Sequence, residues 1–369
     1  MSIEQELSWA AKSGSARRQH IGQYVAFTPG LAGAKSLIAD LWDSWREAPE
    51  GEISFIQGET RAGKTTALDE FIIDKHAKIA AAYEGREGFE VQPLGDDPAF
   101  WAIEIKTPNG WLRPIVKVQV PKKPKYKAVF AGVLSTMGVK RVPERMNTQD
   151  RLTLLTTQLR EQQTRIMAFD ECHHISEYKD PDGAYDAGDV FKIVAKCGRA
   201  GVICCGLPHM MELVDANRQV QECERGRYTV GPFALDLSPG SDLKAFMTAL
   251  NLRLPFDLPS CLDDDDVVLR VALLRDCFTG RIAKFVHQVT AYAISIGASH
   301  VDVSTLASFL RVKKGIADDA NIFLMNRDAA ANYPAIVEKA RGERIVQAEN
   351  RRAKQTAQKR LKPAFGARM

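Results

Sequence analysis

Residues 53–71 read ISFIQGETRAGKTTALDEF. Ile53–Gln57 is a short apolar strand, and the residues from Ala67 to Ala82 have the composition of a helix. Between them, Gly58-Glu59-Thr60-Arg61-Ala62-Gly63-Lys64-Thr65 fits the pattern GxxxxGK followed by Ser or Thr without a mismatch. A strand before the loop and a helix after it are the context this pattern requires. The spacing follows from phosphate chemistry. Loop N–H groups surround phosphate oxygens, and Gly58 and Gly63 permit a backbone approach that a side chain would block. The helix N-terminus adds partial positive charge. Lys64 is placed to reach the β- and γ-phosphates and Thr65 to coordinate Mg²⁺. The expected nucleotide contacts are Gly58 through Thr65, with Thr66 beside them.

Downstream, Arg165–Phe169 is an apolar strand running into Asp170 and Glu171. With the loop upstream, this is the second half of an ATP-hydrolysing site. Asp170 is expected to hold Mg²⁺ and Glu171 to polarise the attacking water. Cys172-His173-His174 follow directly. No zinc is assigned there, because neighbours on one short segment rarely share an ion and no CxxC or HxxxH partner accompanies them. Gly201–Cys205 reads as a further core strand, leading to Gly206-Leu207-Pro208-His209. Arg225 and Arg227 follow in Arg-Gly-Arg-Tyr; either suits an arginine presented to a neighbouring subunit's γ-phosphate. Arg281, in Thr279-Gly280-Arg281, is placed to close a helical segment onto the nucleotide.

Further outward, the fold class reads as α/β. Leu31, Ala34, Leu37, Ile38, Leu41 and Trp45 recur at helical spacing after Pro29-Gly30. Phe100–Lys106 and Trp111–Val120 read as two strands around Pro108-Asn109-Gly110, a hairpin signal, and residues 83–100 as loop. Ala128–Gly138, Thr148–Glu161 and Ala187–Cys197 read as helices. Alternating strands and helices predict a parallel sheet flanked by helices. Past residue 238 the pattern becomes helical: Leu243–Leu250, Val267–Phe278, Arg281–Ile296 and Val303–Phe309. The expected organisation is a helical segment over 1–47, an α/β core over 48–240, a helical lid over 241–315 and an extension over 316–369.

The charge balance is +4, but residues 340–369 carry nine basic and two acidic residues. A basic tail on a near-neutral body suits nucleic acid or an acidic partner, and equally a solvated tail. Seven cysteines without a CxxC pair exclude a disulfide scaffold in a chain of 369 residues. No apolar run approaches the roughly 18 residues that span a bilayer. The expectation is a soluble cytoplasmic protein with no membrane contact.

The order of these motifs resembles an AAA+ ATPase: phosphate loop, Asp-Glu, a strand ending in Gly-x-Pro, an arginine before an aromatic residue, then a helical lid with Gly-Arg. More narrowly, it resembles the TniB/TnsC family, the ATPases of bacterial DNA transposition. The likeness runs from about Phe27 to Phe309 and is carried by GETRAGKTTALDEF, RIMAFDECHHI, GVICCGLPHM, RGRY and FTGRIAKFV. Where family members carry a hydroxyl residue after the glycine of Gly-x-Pro, this chain has Leu207, so no sensor-1 residue is assigned. The resemblance implies a P-loop AAA+ core with a helical lid, and ATP and Mg²⁺ as cofactors. It implies Arg225 or Arg227 as arginine finger and Arg281 as sensor 2. It also implies self-assembly as a ring or filament on double-stranded DNA, without sequence preference. The further partners implied are a transposase and a TniQ-type target-selection protein, and hydrolysis would reset the assembly. Lys117, Lys122, Lys123, Lys125 and Lys127 form the basic segment expected to meet DNA phosphates. Three other roles share the motifs: a DExH-type translocase, a STAND-like switch that hardly turns over, and a helicase loader.

Overall fold

The computed structural model describes residues 8–22, 24–45, 47, 51–122, 126–139, 142–143, 145–177, 191–196, 198–215 and 218–333. The basic tail at 340–369 lies outside these residues. The chain divides into two compact units, Phe27–Pro232 and a second made of Met1–Ala26 together with Phe233–Met369. Helix α1 (Gly14–Gly22) belongs to the second unit. The division cuts the helical segment read over 1–47. Ile21 and Ala26 are buried in the core of the helical unit, whereas Ala34, Ile38 and Leu41 are buried on α2 (Pro29–Asp43) in the other.

In the first unit, α2 begins where Thr28 caps it, its hydroxyl accepting from Leu31 N at 3.1 Å, with Pro29 at the first turn. The chain continues as β1 (Ile53–Gln57), α3 (Lys64–Tyr83), β2 (Glu90–Val91), β3 (Phe100–Ala102), β4 (Ile105–Thr107), β5 (Gly110–Leu112) and β6 (Ile115–Gln119). Then come α4 (Tyr126–Thr136), α5 (Thr148–Glu161), β7 (Ile166–Asp170), α6 (His173–Ser176) and α7 (191–196). The unit closes with β8 (Gly201–Gly206), a short 3-10 turn, α8 (Met211–Asp215), α9 (Arg218–Gln221) and β9 (Glu224–Thr229).

The described strands build a six-stranded sheet in the order β3-β6-β7-β8-β1-β9, parallel except for β3. Every residue of β7 and β8 is buried. This is why both read as unbroken apolar runs rather than as alternating ones. The register places Gln57 beside Gly206 and Gln119 beside Asp170, so these strand ends share the carboxyl edge of the sheet. Ligands of open α/β sheets bind at that edge.

Two sequence expectations change in detail. The two long strands around Asn109-Gly110 each break in two. β3 pairs with β6 in the large sheet, while β4 and β5 form a hairpin that joins β2 in a second, antiparallel sheet. Pro114 lies at the break after β5, where it has no N–H to continue a ladder. The stretch 83–100 also contains β2, not loop alone. β9 carries no apolar run because it is the sheet edge: its residues alternate between part-buried and exposed.

The second unit is helical: α10 (Asp242–Leu252), α11 (Asp265–Leu274), α12 (Thr279–Ser295), α13 (Val303–Lys314) and α14 (Arg327–Ala331). Ser241 and Asp302 cap α10 and α13 by accepting from backbone N–H groups. The Asp257 carboxylate accepts from the Ser8 hydroxyl and from the N–H groups of Trp9 and Ala10. No described helix is long and apolar enough to cross a membrane.

Candidate functional site

β1 ends at Gln57, and the loop Gly58–Gly63 carries the chain into α3, whose first residue is Lys64. Both motif glycines are needed, for different reasons. Gly63 has φ +109°, a conformation that side chains resist. Gly58 lies against the backbone, and a Cβ there would come 2.5 Å from the Val230 carbonyl oxygen. The Lys64 ammonium arches back over the loop and donates to the carbonyls of Gly58 at 2.7 Å and Glu59 at 2.9 Å. Burial lowers its pKa, against the pull of the Asp170 and Glu171 carboxylates. Glu59, Thr60 and Arg61 are exposed, Thr66 is half-buried and Ala62 is buried.

Thr65 and Asp170, 105 positions apart, meet at this edge. The Thr65 hydroxyl donates to Asp170 Oδ2 at 2.8 Å, and the other oxygen, Oδ1, accepts from Glu171 N at 2.9 Å. Asp170 is buried at the end of β7. Glu171 has φ +58°, so the chain turns sharply after β7. Its carboxyl is half-buried, and burial, reinforced by Asp170, pushes its pKa upward. The Cys172 N–H bonds the Cys205 carbonyl at 2.8 Å, tying this turn to the end of β8. The hydroxyl and carboxylate form an oxygen donor set of the kind that suits Mg²⁺. The glycine cradle with Lys64 suits a phosphate chain. The residues therefore fit a magnesium–nucleotide pair.

The remaining expected residues are distributed unevenly. Arg225 and Arg227 lie on β9, and their side chains already have partners. Arg225 pairs with Glu52 at 2.5 Å, while Arg227 pairs with Glu224 and, at 2.9 Å, with Asp215. The hydrogen bonds to Glu224 hold the Arg227 guanidinium pKa above its ordinary value. Arg281 belongs to the other unit, where it pairs with Asp276 at 2.5 Å and lies over the Phe278 ring.

Of the basic segment, Lys122 is exposed after β6 and Lys127 falls in α4, while Lys123 and Lys125 lie outside the described residues. Lys117 is a correction. It is 2% exposed and forms an ion pair with Asp69 of α3, so it has no surface to offer DNA. On a lone strand a lysine reads as solvent-facing, whereas β6 is an interior strand with α3 close to its face. Sequence reading also passed over Asp69. Its pKa is raised by burial, against the stabilising hydrogen bond from Lys117. Nothing local marks it, since the partner that buries it is 48 positions away.

The histidines after Glu171 also cluster. His173 is buried, with its ring 4.5 Å from that of His174 and 5.6 Å from that of His209. Burial, followed by the nearby His174, lowers the His173 pKa to about 4. His174 Nδ1 lies 2.9 Å from the Val120 carbonyl oxygen. The adjacency that argued against a shared ion does not keep these side chains apart. One donor atom from each of Glu171, His173 and His174 lies within 4.8 Å of the others.

Comparison with known proteins finds a likeness over part of this site. The family model described as bacterial TniB protein matches residues 103–225, from the hairpin through Asp170-Glu171 to the start of β9. Over those residues the chain is similar to TniB, and its fold is that of AAA+ proteins. Solved structures carry the fold part of that statement. ORC1 of Aeropyrum pernix, in a complex with DNA, superposes with TM-score 0.55 at 15% identity over 82% of this chain and 70% of that one. ORC2 of Aeropyrum pernix, in ADPNP and ADP complexes, gives 0.53 at 14% identity over 82% and 73%. A Drosophila ORC structure bound to DNA gives 0.53 at 12% over 87% and 70%. At such identities the likeness shows the fold alone. No curated protein matches this chain.

Proposed function

We propose that this chain is an ATP-hydrolysing regulator of DNA transposition that assembles on double-stranded DNA. The observation that carries the reading is the meeting of Thr65 with Asp170, beside Lys64 and Glu171, inside a stretch matched in part by the TniB model. Loop N–H groups from Gly58 to Thr65 cradle the phosphates, and Lys64 leaves its loop carbonyls to neutralise the β- and γ-phosphates. Thr65 and Asp170 hold Mg²⁺, which when bound neutralises charge on the transferring phosphate. Glu171 orients the attacking water and takes its proton.

Arg225 or Arg227 acts on the γ-phosphate of the next copy in a ring or filament. The Arg225 partner Glu52 is part-exposed, and such pairs are worth roughly 0–1 kcal/mol, so little opposes its exchange, whereas Arg227 would have to leave a two-bond pair with Glu224. Lys122, Lys123, Lys125 and Lys127 meet DNA phosphates, which carry no sequence information, so binding is sequence-independent. The assembly recruits a transposase and a TniQ-type selector, and hydrolysis dismantles it.

Electron microscopy of the chain with linear duplex DNA under ATP, ADP or a non-hydrolysable analogue tests this reading. Filaments or stacked rings are expected with ATP and with the analogue, and Lys64→Ala should leave the DNA bare. DNA left bare by the wild-type chain in every nucleotide state, or filaments formed equally well by Lys64→Ala, would overturn it.

A further inference from the structure

The turn after β7 gathers more than a hydrolytic base needs. Glu171, with its left-handed backbone, directs its carboxylate back over the first turn of α6, where His173 and His174 begin the helix. His173 Nδ1 is buried and 3.2 Å from Glu171 Oε2, yet it finds no hydrogen-bond partner among the described residues. The two atoms are close enough together to share one ion. His174 supplies the next donor. Its Nδ1 faces the Val120 carbonyl, an acceptor that fixes the proton on Nδ1 and leaves the lone pair on Nε2. Metal-binding histidines are held by the same kind of backbone contact.

We propose that Glu171, His173 and His174 form a binding site for a divalent transition metal of the zinc and cobalt class, whose occupancy withdraws Glu171 from water activation. Two imidazoles and one carboxylate, with a water in the fourth position, are a donor set suited to such ions. Magnesium prefers oxygen ligands and keeps to the Thr65–Asp170 side. Donors of a tetrahedral ion stand roughly 3.3 Å apart. One donor atom from each residue lies within 4.8 Å of the others, and the Glu171 side chain, 39% exposed, is free to adjust toward an ion. The glycine cradle and Lys64 take no part. A bound ion therefore leaves ATP binding intact and stops turnover, holding the protein in its ATP state. This consequence rests on Glu171 being the hydrolytic base; the binding site itself does not.

The chelator-treated full chain is titrated with Co²⁺ while visible absorption is followed, then with Zn²⁺ in competition. One equivalent should give a ligand-field band that Zn²⁺ removes. His174→Gln, at a half-buried position, should weaken Co²⁺ binding by more than about tenfold. In parallel, Zn²⁺ is added to the ATPase reaction at saturating Mg-ATP. Inhibition of the wild type should shift by the same factor in His174→Gln. His173→Gln, checked for folding by circular dichroism, should act in the same direction. Absence of the band, a band indifferent to both substitutions, or binding without inhibition would overturn the proposal. A wild type that turns over no ATP before zinc is added would instead sink the ATPase reading, and the cobalt titration would still decide the site.

Discussion

Glu171 shows how much one residue is asked to do. It carries a backbone conformation that costs a side-chain-bearing residue about 1–2 kcal/mol, at φ +58°, immediately after a buried strand. Asp170 offsets the cost by accepting its N–H. Burial then holds its carboxyl above the ordinary range. The sign is definite: with a raised pKa the proton persists to higher pH, so the base form is lost earlier on acidification. The ATPase rate should therefore fall, as pH decreases, through a limb above the roughly 4.3 of a free glutamate, and a pH–rate profile reads this directly. Glu171→Gln should bind ATP with near-normal affinity and lose turnover by about 10²–10⁴-fold. Rapid hydrolysis by that variant would remove Glu171 as the base. Lys64, Thr65, Asp170 and Glu171 were legible in the sequence because phosphate chemistry fixes their types and spacing. His173 and His174 were legible as residues but not as a cluster, since only the turn at Glu171 makes neighbours converge.

Among the elements, β6 is the one whose reading the structure changes most. Sequence pattern supplied the strand, the hairpin before it and the helices α4 and α5 after it. It could not supply the order β6-β7-β8-β1, which makes β6 an inner strand against α3. That order turns Lys117 from a DNA-facing lysine into half of a buried ion pair with Asp69. Removing one partner of a buried pair leaves the other charge uncompensated. Lys117→Met should destabilise the fold by about 3 kcal/mol, at the low end for such pairs because Asp69 is still 23% exposed. The double variant with Asp69→Leu should recover most of the loss. Urea denaturation of the three proteins checks this. The salt dependence of DNA binding should be unchanged in Lys117→Met, since a lysine without surface releases no counterion. β9 was missed for the complementary reason: an edge strand with alternating exposure has the composition of a loop.

For the whole molecule, the sequence order and the units of the fold do not coincide. The residues from 8 to 26 precede the sheet unit yet belong with helices that begin after residue 233. Periodicity identifies a helix but not which distant core it fills, so the segment read over 1–47 was seen as one piece. Ile21 is 2% exposed within a core built by Phe246, Val268, Phe285 and Leu310, and the Asp257 carboxylate anchors the chain just before it. A cavity at such a position costs about 2–4 kcal/mol. Ile21→Ala should therefore weaken the helical unit and spare the sheet. Native-state hydrogen exchange separates the two outcomes, because local opening is read element by element. Amides of α12 should lose protection by that amount while those of β7, in the other unit, keep theirs. Equal loss in α12 and β7 would mean that the units unfold as one. Unchanged protection in α12 would mean that the N-terminal segment contributes nothing to the helical core. If α12 alone responds, the chain leaves one folding unit to build the nucleotide-site sheet and then returns to complete the first.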